Sequence, residues 1–250
     1  MEVGLALDNV APGGAEAGGA TLRVPAGAIA VLAGREDASR SGLVRVLLGL
    51  EAARGTLLAG AERHDLAAGP PPPSLGLGAV LDPPVLQSSL TCGENVRLGQ
   101  RAAPRGRGRP AGEVVAALEI EGRMLDLQPG LVPPRTRQVV SLAQMLAAGK
   151  RAVVWNLARS DLWVDLERAH RRFPEVTWLV LAASAGAARR RGELAGILEG
   201  GHVSCFGRSE EVRNRLPFAV ALRAEAGAGV PPAHPRPGTA PESQRETSSR

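Results

Sequence analysis

The chain has 250 residues, of which 44% are apolar, and this is enough to bury a substantial core. Its formal net charge is +5, and almost all of its positive charge is carried by arginine, because Lys150 is the single lysine. So small a charge for this length gives little reason to expect a nucleic-acid partner, and we predict none. The two cysteines, Cys92 and Cys205, lie far apart without a metal-type spacing, which argues against a zinc site and a disulfide framework.

Membrane-spanning and secreted classes are also disfavoured. No apolar run approaches the roughly 20 residues that a membrane helix needs. The first residues lack the charged and then apolar pattern of a secretory signal peptide. We therefore expect a cytoplasmic protein, whose association with the inner face of the cell membrane, if it has one, is made through a partner.

The amino-terminal part alternates short apolar runs with glycine-rich or polar segments, a pattern typical of strands joined by turns. We predict strands at 3–8, 21–24, 28–33 and 56–59.

Residues 34–49, with the sequence GREDASRSGLVRVLLG, have the outline of a phosphate-binding loop. They follow a predicted buried strand and lead into apolar residues at helical spacing. The pattern G-x-x-x-x-G-K-[ST] would begin at Gly34 and end at Ser41. Ser39 and Arg40 stand where that pattern has its second glycine and its lysine.

The substitutions in this loop work against a bound phosphate. Glu36 and Asp37 add carboxylates, and a carboxylate ~4 Å from a phosphate charge costs about 4 kcal/mol at an effective dielectric constant near 20. Arg40 keeps a positive charge, but a planar guanidinium does not replace a compact ammonium. If nucleotide contacts survive, they involve the remnant of the pattern: Gly34, Ser39, Arg40, Ser41 and Gly42.

The alternative interpretation of the loop is structural. Glu, Asp and Ser are favourable at the start of a helix, where their side chains accept hydrogen bonds from unpaired backbone N–H groups. We therefore expect the loop to cap the following helix with its own side chains, and we favour this over tight nucleotide binding.

The rest of the chain alternates predicted strands and helices. A proline-rich loop at 69–73 cannot join the interior of a sheet. This alternation favours a parallel sheet with helices on both faces. Residues 224–250 contain almost nothing to bury and are predicted to be disordered. The predicted strands are 76–81, 152–155, 177–182, 195–199 and 202–205, and the helices begin near 114 and span 137–148, 161–172 and 210–216.

Four pieces of sequence in this order resemble the nucleotide-binding domain of ABC transporters, over residues 1–216. They are the loop outline Gly34 to Ser41, LTCGENVRLG at 90–99, RQVVSLAQMLAAGKRAVVW at 137–155, and LEGGHVSCFGRSEEV at 198–212. The resemblance implies an α/β, P-loop NTPase-like ABC ATPase fold with a mostly parallel sheet flanked by helices. It also implies an amino-terminal antiparallel β part and a helical subdomain at roughly 83–136.

The positions that perform chemistry in that family are altered here. Asp82 replaces the glutamine that helps to hold Mg²⁺, although a carboxylate can still ligate that ion. Asn156 and Leu157 replace the aspartate and the catalytic glutamate, and Ala183 replaces the histidine that contacts the γ-phosphate. The resemblance therefore implies no catalytic residue, and a weak metal site at most, formed by Ser41, Asp82 and Asn156.

Two further contacts of the family are also altered. The signature sequence falls on residues 132–136, where two prolines remove N–H donors to a second nucleotide. Residues 10–20 contain no aromatic side chain that could stack on adenine.

Three functional hypotheses follow from this resemblance. The first is a degenerate ABC-type subunit, a pseudo-ATPase that binds a membrane permease, a sister ABC ATPase in a homodimer or heterodimer, or both. It would use no cofactor. The second is an ATP-binding transporter subunit that binds MgATP weakly through Arg40, Ser41 and Asp82. The third is a soluble regulatory protein that acts without a membrane partner.

Overall fold

The structure is a computed structural model that describes residues 2–13, 18–157, 160–212, 214, 215 and 217–221. The tail predicted to be disordered, residues 224–250, lies outside these described residues. Within them, no helix combines the length and the hydropathy that crossing a membrane requires.

The amino-terminal residues form an antiparallel sheet of four strands in the order β2-β1-β4-β5. Three of its strands were predicted, with shorter bounds. The fourth, β5, has the charged sequence ERHD and no apolar pattern, so the sequence does not identify it. The strands are β1 (Val3–Pro12), β2 (Ala20–Pro25), β4 (Ala53–Ala59) and β5 (Glu62–Asp65).

A second sheet has six strands in the order β10-β9-β3-β8-β7-β6. Its strands pair in parallel except for the antiparallel hairpin of β9 and β10. The strands β3, β7 and β8 are buried along their whole length, as continuous apolar runs predict for a parallel sheet covered on both faces. The strands are β3 (Ile29–Ala33), β6 (Leu77–Val80), β7 (Ala152–Leu157), β8 (Thr177–Ala182), β9 (Leu194–Glu199) and β10 (His202–Arg208).

Helices cover both faces of this sheet, and α2 to α5 all lie between β6 and β7 in the chain. The helix predicted at 137–148 begins earlier, at Pro134, because proline is well suited to the first helical position. The helix predicted at 161–172 begins at Trp163, after a short 3₁₀ turn. The helices are α1 (Asp37–Leu47), α2 (Cys92–Ala102), α3 (Ala111–Ala117), α4 (Gly122–Leu125), α5 (Pro134–Ala147), α6 (Trp163–Arg172), α7 (Ala185–Arg191) and α8 (Ser209–Val212).

The core consists of two apolar clusters. One contains Trp155 and Trp178, and the other contains Leu32 and Leu43. Phe218 is fully buried in the first cluster, so packed residues extend past the domain boundary predicted at residue 216.

The sequence LTCGEN at 90–95 builds the start of α2. Thr91 and Glu94 form a capping box, in which the Thr91 hydroxyl accepts from the Glu94 N–H at 3.2 Å. The Glu94 carboxylate accepts from the Thr91 N–H at 2.8 Å, and this bond lowers the pKa of Glu94. Asn95 is fully buried and bonds both the N–H and the carbonyl of Gln87, at 2.8 and 3.0 Å. These family-like residues therefore have a structural role in this chain.

Replacing Asn95 with alanine should destabilise the fold, because it removes a fully buried amide together with its hydrogen bonds to the N–H and the carbonyl of Gln87. We expect Asn95→Ala to lower the free energy of unfolding by about 1–3 kcal/mol. Urea denaturation measures the change. The control is Ser88→Ala, at an exposed position of the same turn, which should change stability by no more than about 0.5 kcal/mol. Equal effects of the two substitutions would contradict this role for Asn95.

Candidate functional site

The carboxyl ends of three adjacent strands lie level with one another. Ala182 of β8 pairs with Ala33 of β3 on one side and with Leu157 of β7 on the other. The loop that begins at Gly34, together with Leu157 and Ala183, therefore lies along one edge of the sheet. This edge is where open α/β sheets bind ligands.

Gly34 anchors the loop to the sheet edge. Its N–H donates to the carbonyl of Ala182 at 2.9 Å. A Cβ added at Gly34 would lie 3.1 Å from the carbonyl oxygen of Leu198 and 3.3 Å from Cγ of Arg40. The position is therefore crowded on two sides, and glycine lets the Arg40 side chain pass close to the backbone.

The Arg40 side chain turns back into the loop instead of pointing to the surface. The residue is only 5% exposed. Its Nη1 donates to the carbonyl of Gly34, and its Nη2 lies 3.0 Å from Oδ1 of Asp37. The loop thus surrounds a cation with a carbonyl and a carboxylate. A phosphate cradle has the opposite arrangement, with backbone N–H groups directed at an anion.

The prediction that the loop caps α1 with its own side chains is wrong. Glu36 is the N-cap residue, but its side chain makes no capping hydrogen bond. Its carboxylate instead accepts from the Ser39 hydroxyl at 2.9 Å. Asp37 pairs with Arg40. Both acidic side chains therefore accept hydrogen bonds from side-chain donors. Glu36 accepts from Ser39, and Asp37 accepts from the buried Arg40 guanidinium.

The other predicted remnant residues, Ser41 and Gly42, lie on α1 and are partly exposed. A Cβ added at Gly42 would meet nothing within 4 Å, so packing does not require glycine there.

The predicted metal ligands lie along the same edge without forming a charged cluster. Asp82 is exposed, and its Oδ1 accepts from Nε2 of Gln138 at 3.0 Å. Asn156 is 4% exposed, and its buried Oδ1 has no hydrogen-bond partner among the described residues. Within the described part of the chain, no group of three or more His, Cys, Asp or Glu side chains is arranged for a metal ion.

These residues do not fit MgATP as a whole. An orphaned amide oxygen on Asn156 and a carboxylate on Asp82 are acceptable ligands for Mg²⁺, but that ion is usually held through substrate phosphates as well. Inside the loop, the Arg40 guanidinium donates to the Gly34 carbonyl, which leaves that carbonyl, and not an N–H group, facing inward.

The two residues at which the sequence resemblance implies a base and a histidine are both apolar. Leu157 is 2% exposed, at the end of a fully buried strand. Ala183 is exposed in the turn that follows β8. Neither side chain can accept or donate a proton, so this edge provides no general base at these two positions.

Residues 132–136, where the resemblance places the signature sequence, are bonded to helix α6 through Arg135. Pro133 is the N-cap of α5, and Arg135 in its first turn forms a two-bond contact with Asp165 of α6, at 3.0 and 3.1 Å. The hydrogen bonds that Arg135 donates to the Asp165 carboxylate raise the pKa of Arg135. Arg168 contacts the same carboxylate at 3.1 Å. Sequence reasoning did not identify Asp165 as a buried anchor, although its spacing from Arg168 is a recognisable helical ion-pair signal.

Two substitutions separate the buried contact of Arg40 from its ion pair. Arg40→Ala should lower the free energy of unfolding by about 1–3 kcal/mol, because the Gly34 carbonyl loses its charged donor. Asp37→Ala should cost less than about 1 kcal/mol, because the Asp37 side chain is 75% exposed and solvent screens the pair. Chemical denaturation of both variants measures the difference. An Asp37 variant that is destabilised as much as the Arg40 variant would contradict a buried anchoring role for Arg40.

The comparisons with known proteins agree with this architecture. No protein-family model matches the chain. A curated relative, the molybdenum import ATP-binding protein ModC 2 of Azotobacter vinelandii, is 35% identical over 126 residues, which are 50% of this chain and 35% of that protein. The match thus spans about one third of the length of that relative.

Solved structures match over most of the chain. An ATP-binding subunit of an ABC transporter is 20% identical, with a TM-score of 0.70 over 90% of this chain and 98% of that chain. A nucleotide-free ATP-binding cassette from an ABC transporter is 16% identical, with a TM-score of 0.71 over 90% of this chain and 99% of that chain. The resemblance found in the sequence is confirmed: the chain has the ATP-binding-cassette fold of ABC transporter nucleotide-binding domains.

Proposed function

We propose that this chain is a degenerate ABC-type subunit, a pseudo-ATPase that acts by binding a membrane permease, a sister ATPase, or both. The observation that carries the proposal is the buried Arg40 guanidinium, bonded to Gly34 and Asp37 inside the loop. It supports a loop that holds its own cation in place of a nucleotide phosphate.

The loop would have to reorganise before a phosphate could enter. Arg40 would have to leave a site where it is 5% exposed, and Gly34 would have to turn its carbonyl outward. That change is opposed because the Gly34 carbonyl would lose its hydrogen bond and because the ion pair between Arg40 and Asp37 would break. The carboxylates of Glu36 and Asp37 would then face the incoming anion and repel it.

Even if a nucleotide were bound, the chain would lack the side chains that hydrolysis needs. Attack of water on a phosphate needs a residue that orients or deprotonates the water. Leu157 and Ala183, at the two positions where the family resemblance places such groups, are apolar. The retained residues Thr91, Glu94 and Asn95 serve the fold, which supports a scaffold kept for binding.

The known relatives support partners at a membrane. The curated relative is a molybdenum import ATP-binding protein, one similar structure is a bacterial ABC exporter with ATP bound, and another is a dimeric cassette in a post-hydrolysis state. By this analogy the chain would lie in the cytoplasm, at the inner face of the membrane, paired with a permease or with a second cassette. In a pair with an active subunit, its altered loop and its residues 132–136 would each impair one shared nucleotide site.

The second candidate is an ATP-binding subunit of weak affinity, and one observation favours it. The N-cap of α1 receives no side-chain hydrogen bond, so the first N–H groups of this helix are not capped by Glu36. Helix N-termini attract anions through such groups. Ser41 and Asp82 would then be the contacts to phosphate and Mg²⁺.

Titration of the purified protein with MgATP distinguishes the two candidates. The proposal predicts no binding heat at millimolar MgATP and no phosphate release. Heat at these concentrations without phosphate release would favour weak binding. Phosphate release by the wild type that disappears in Arg40→Ala would overturn the proposal.

A variant of the same chain serves as the positive control. The triple substitution Asp37→Gly, Ser39→Gly and Arg40→Lys removes the carboxylate and the guanidinium and restores the phosphate-loop pattern. It should bind MgATP measurably, because glycine at these positions frees backbone N–H groups for the phosphate. Catalysis should remain absent, since Leu157 and Ala183 are unchanged.

The partner part of the proposal needs a separate experiment. A tagged chain, expressed in its native host, should co-purify with an integral membrane protein or with a second cassette after mild detergent extraction. Recovery of the chain without either partner would favour the third hypothesis, a soluble regulatory protein.

A further inference from the structure

A cavity lies at the amino-terminal ends of the parallel strands, at the edge of the sheet opposite the phosphate loop. Ile29 of β3 pairs there with Trp178 of β8, and Ala30 pairs with Leu194 of β9. The volume of the cavity is about 830 Å³, which is within the range of small-molecule sites. We call it the lower cleft and define it by residues 25–28, His170, Pro174, 192–194 and 208–210.

Backbone contacts hold the walls of the lower cleft in place. The Gly27 N–H donates to the hydroxyl of the buried Thr177 at 3.1 Å. Gly27 has a φ of +76°, and a Cβ added there would lie 2.4 Å from the carbonyl oxygen of Pro174. The Ser209 N–H donates to the carbonyl of Glu193 at 3.1 Å. The cleft is therefore preformed, so a ligand would not have to order its walls on binding.

Three charged side chains line one part of the lower cleft. Arg208 pairs with Leu194 in the hairpin of β9 and β10, which places Arg208 beside Glu193. Glu210 follows two residues later, and all three charged residues are exposed. Within the part of the chain that the structure describes, neither Arg208 nor Glu210 forms an ion pair. Charges of both signs therefore lie close together and are free to meet a ligand.

The remaining lining of the cleft determines what kind of ligand fits. Pro25, Ala26 and Pro174 provide aliphatic surface. Among the described residues, no group of three or more His, Cys, Asp or Glu side chains is arranged for a metal ion, so the two carboxylates do not indicate a metal site. Carboxylates fit an ammonium group, a guanidinium fits a carboxylate, and proline rings fit an apolar group. An α-amino acid with an apolar side chain carries these three groups in a compact arrangement.

We propose that the lower cleft binds a free α-amino acid with an apolar side chain. The carboxylates of Glu193 and Glu210 accept from its ammonium group, and Arg208 donates to its carboxylate. Its side chain packs against Pro25 and Pro174. The bound amino acid links the start of β3, the turn after α6 and the hairpin of β9 and β10, and thereby stabilises the folded chain. No residue of the phosphate loop takes part, so this inference does not depend on whether the chain binds nucleotide or a permease.

Thermal unfolding of the full chain with matched probes tests the proposal. The first probe is L-leucine at millimolar concentration. Isoamylamine is the same molecule without the carboxylate, and isocaproate is the same molecule without the ammonium group. L-leucine should raise the Tm by at least about 2 °C, because it binds only the folded state. The two analogues should have little effect, since each lacks one charged group. No shift with L-leucine, L-valine or L-methionine, or equal shifts with the two analogues, would overturn the proposal.

Substitutions in the lower cleft locate the binding. In isothermal titration with L-leucine, Arg208→Gln and Glu210→Gln should each raise the Kd at least about tenfold, because each removes a charge-assisted hydrogen bond. The matched controls, Arg105→Gln and Glu113→Gln, change the same residue types at exposed positions outside the cleft and should leave the Kd unchanged. A Kd that is unchanged by the cleft substitutions, or raised equally by the controls, would contradict binding at this site.

Discussion

The buried Arg40 guanidinium is the interaction on which the candidate site depends. Its bond holds the Gly34 carbonyl toward the inside of the loop, and its pair with the exposed Asp37 carboxylate adds a weaker, solvent-screened contact. Because the guanidinium is almost fully buried, the loop is already filled without any ligand. The Gly34 carbonyl therefore points to the inside of the loop, where it accepts from Arg40.

The chain keeps the parts of the cassette fold that hold the structure together. The capping box of Thr91 and Glu94 and the buried amide of Asn95 all satisfy backbone groups around the start of α2. These residues are also the ones through which the sequence resembles the family. Leu157, at the position where the sequence resemblance implies a glutamate, is buried in the apolar core. These residues therefore serve the packing and the backbone hydrogen bonding of the fold.

Sequence reasoning predicted the fold well where apolar runs are continuous. The strands β3 and β8 are examples, because burial on both faces leaves a continuous apolar run whose short length favours a strand. The charged strand β5 has no such pattern and was missed. The loop could be predicted to lie at the sheet edge, but not its inner structure. An arginine that points outward to a phosphate and one that folds inward to a carbonyl look identical in sequence, so the burial of Arg40 and the bonds of Glu36 required the structure.

The most direct test of the central claim is a crystal structure of the protein grown with millimolar MgATP. We expect the Arg40 guanidinium to remain bonded to the Gly34 carbonyl and to Asp37, with no phosphate density inside the loop. A β-phosphate within hydrogen-bond distance of the loop N–H groups, with Arg40 turned outward, would contradict it.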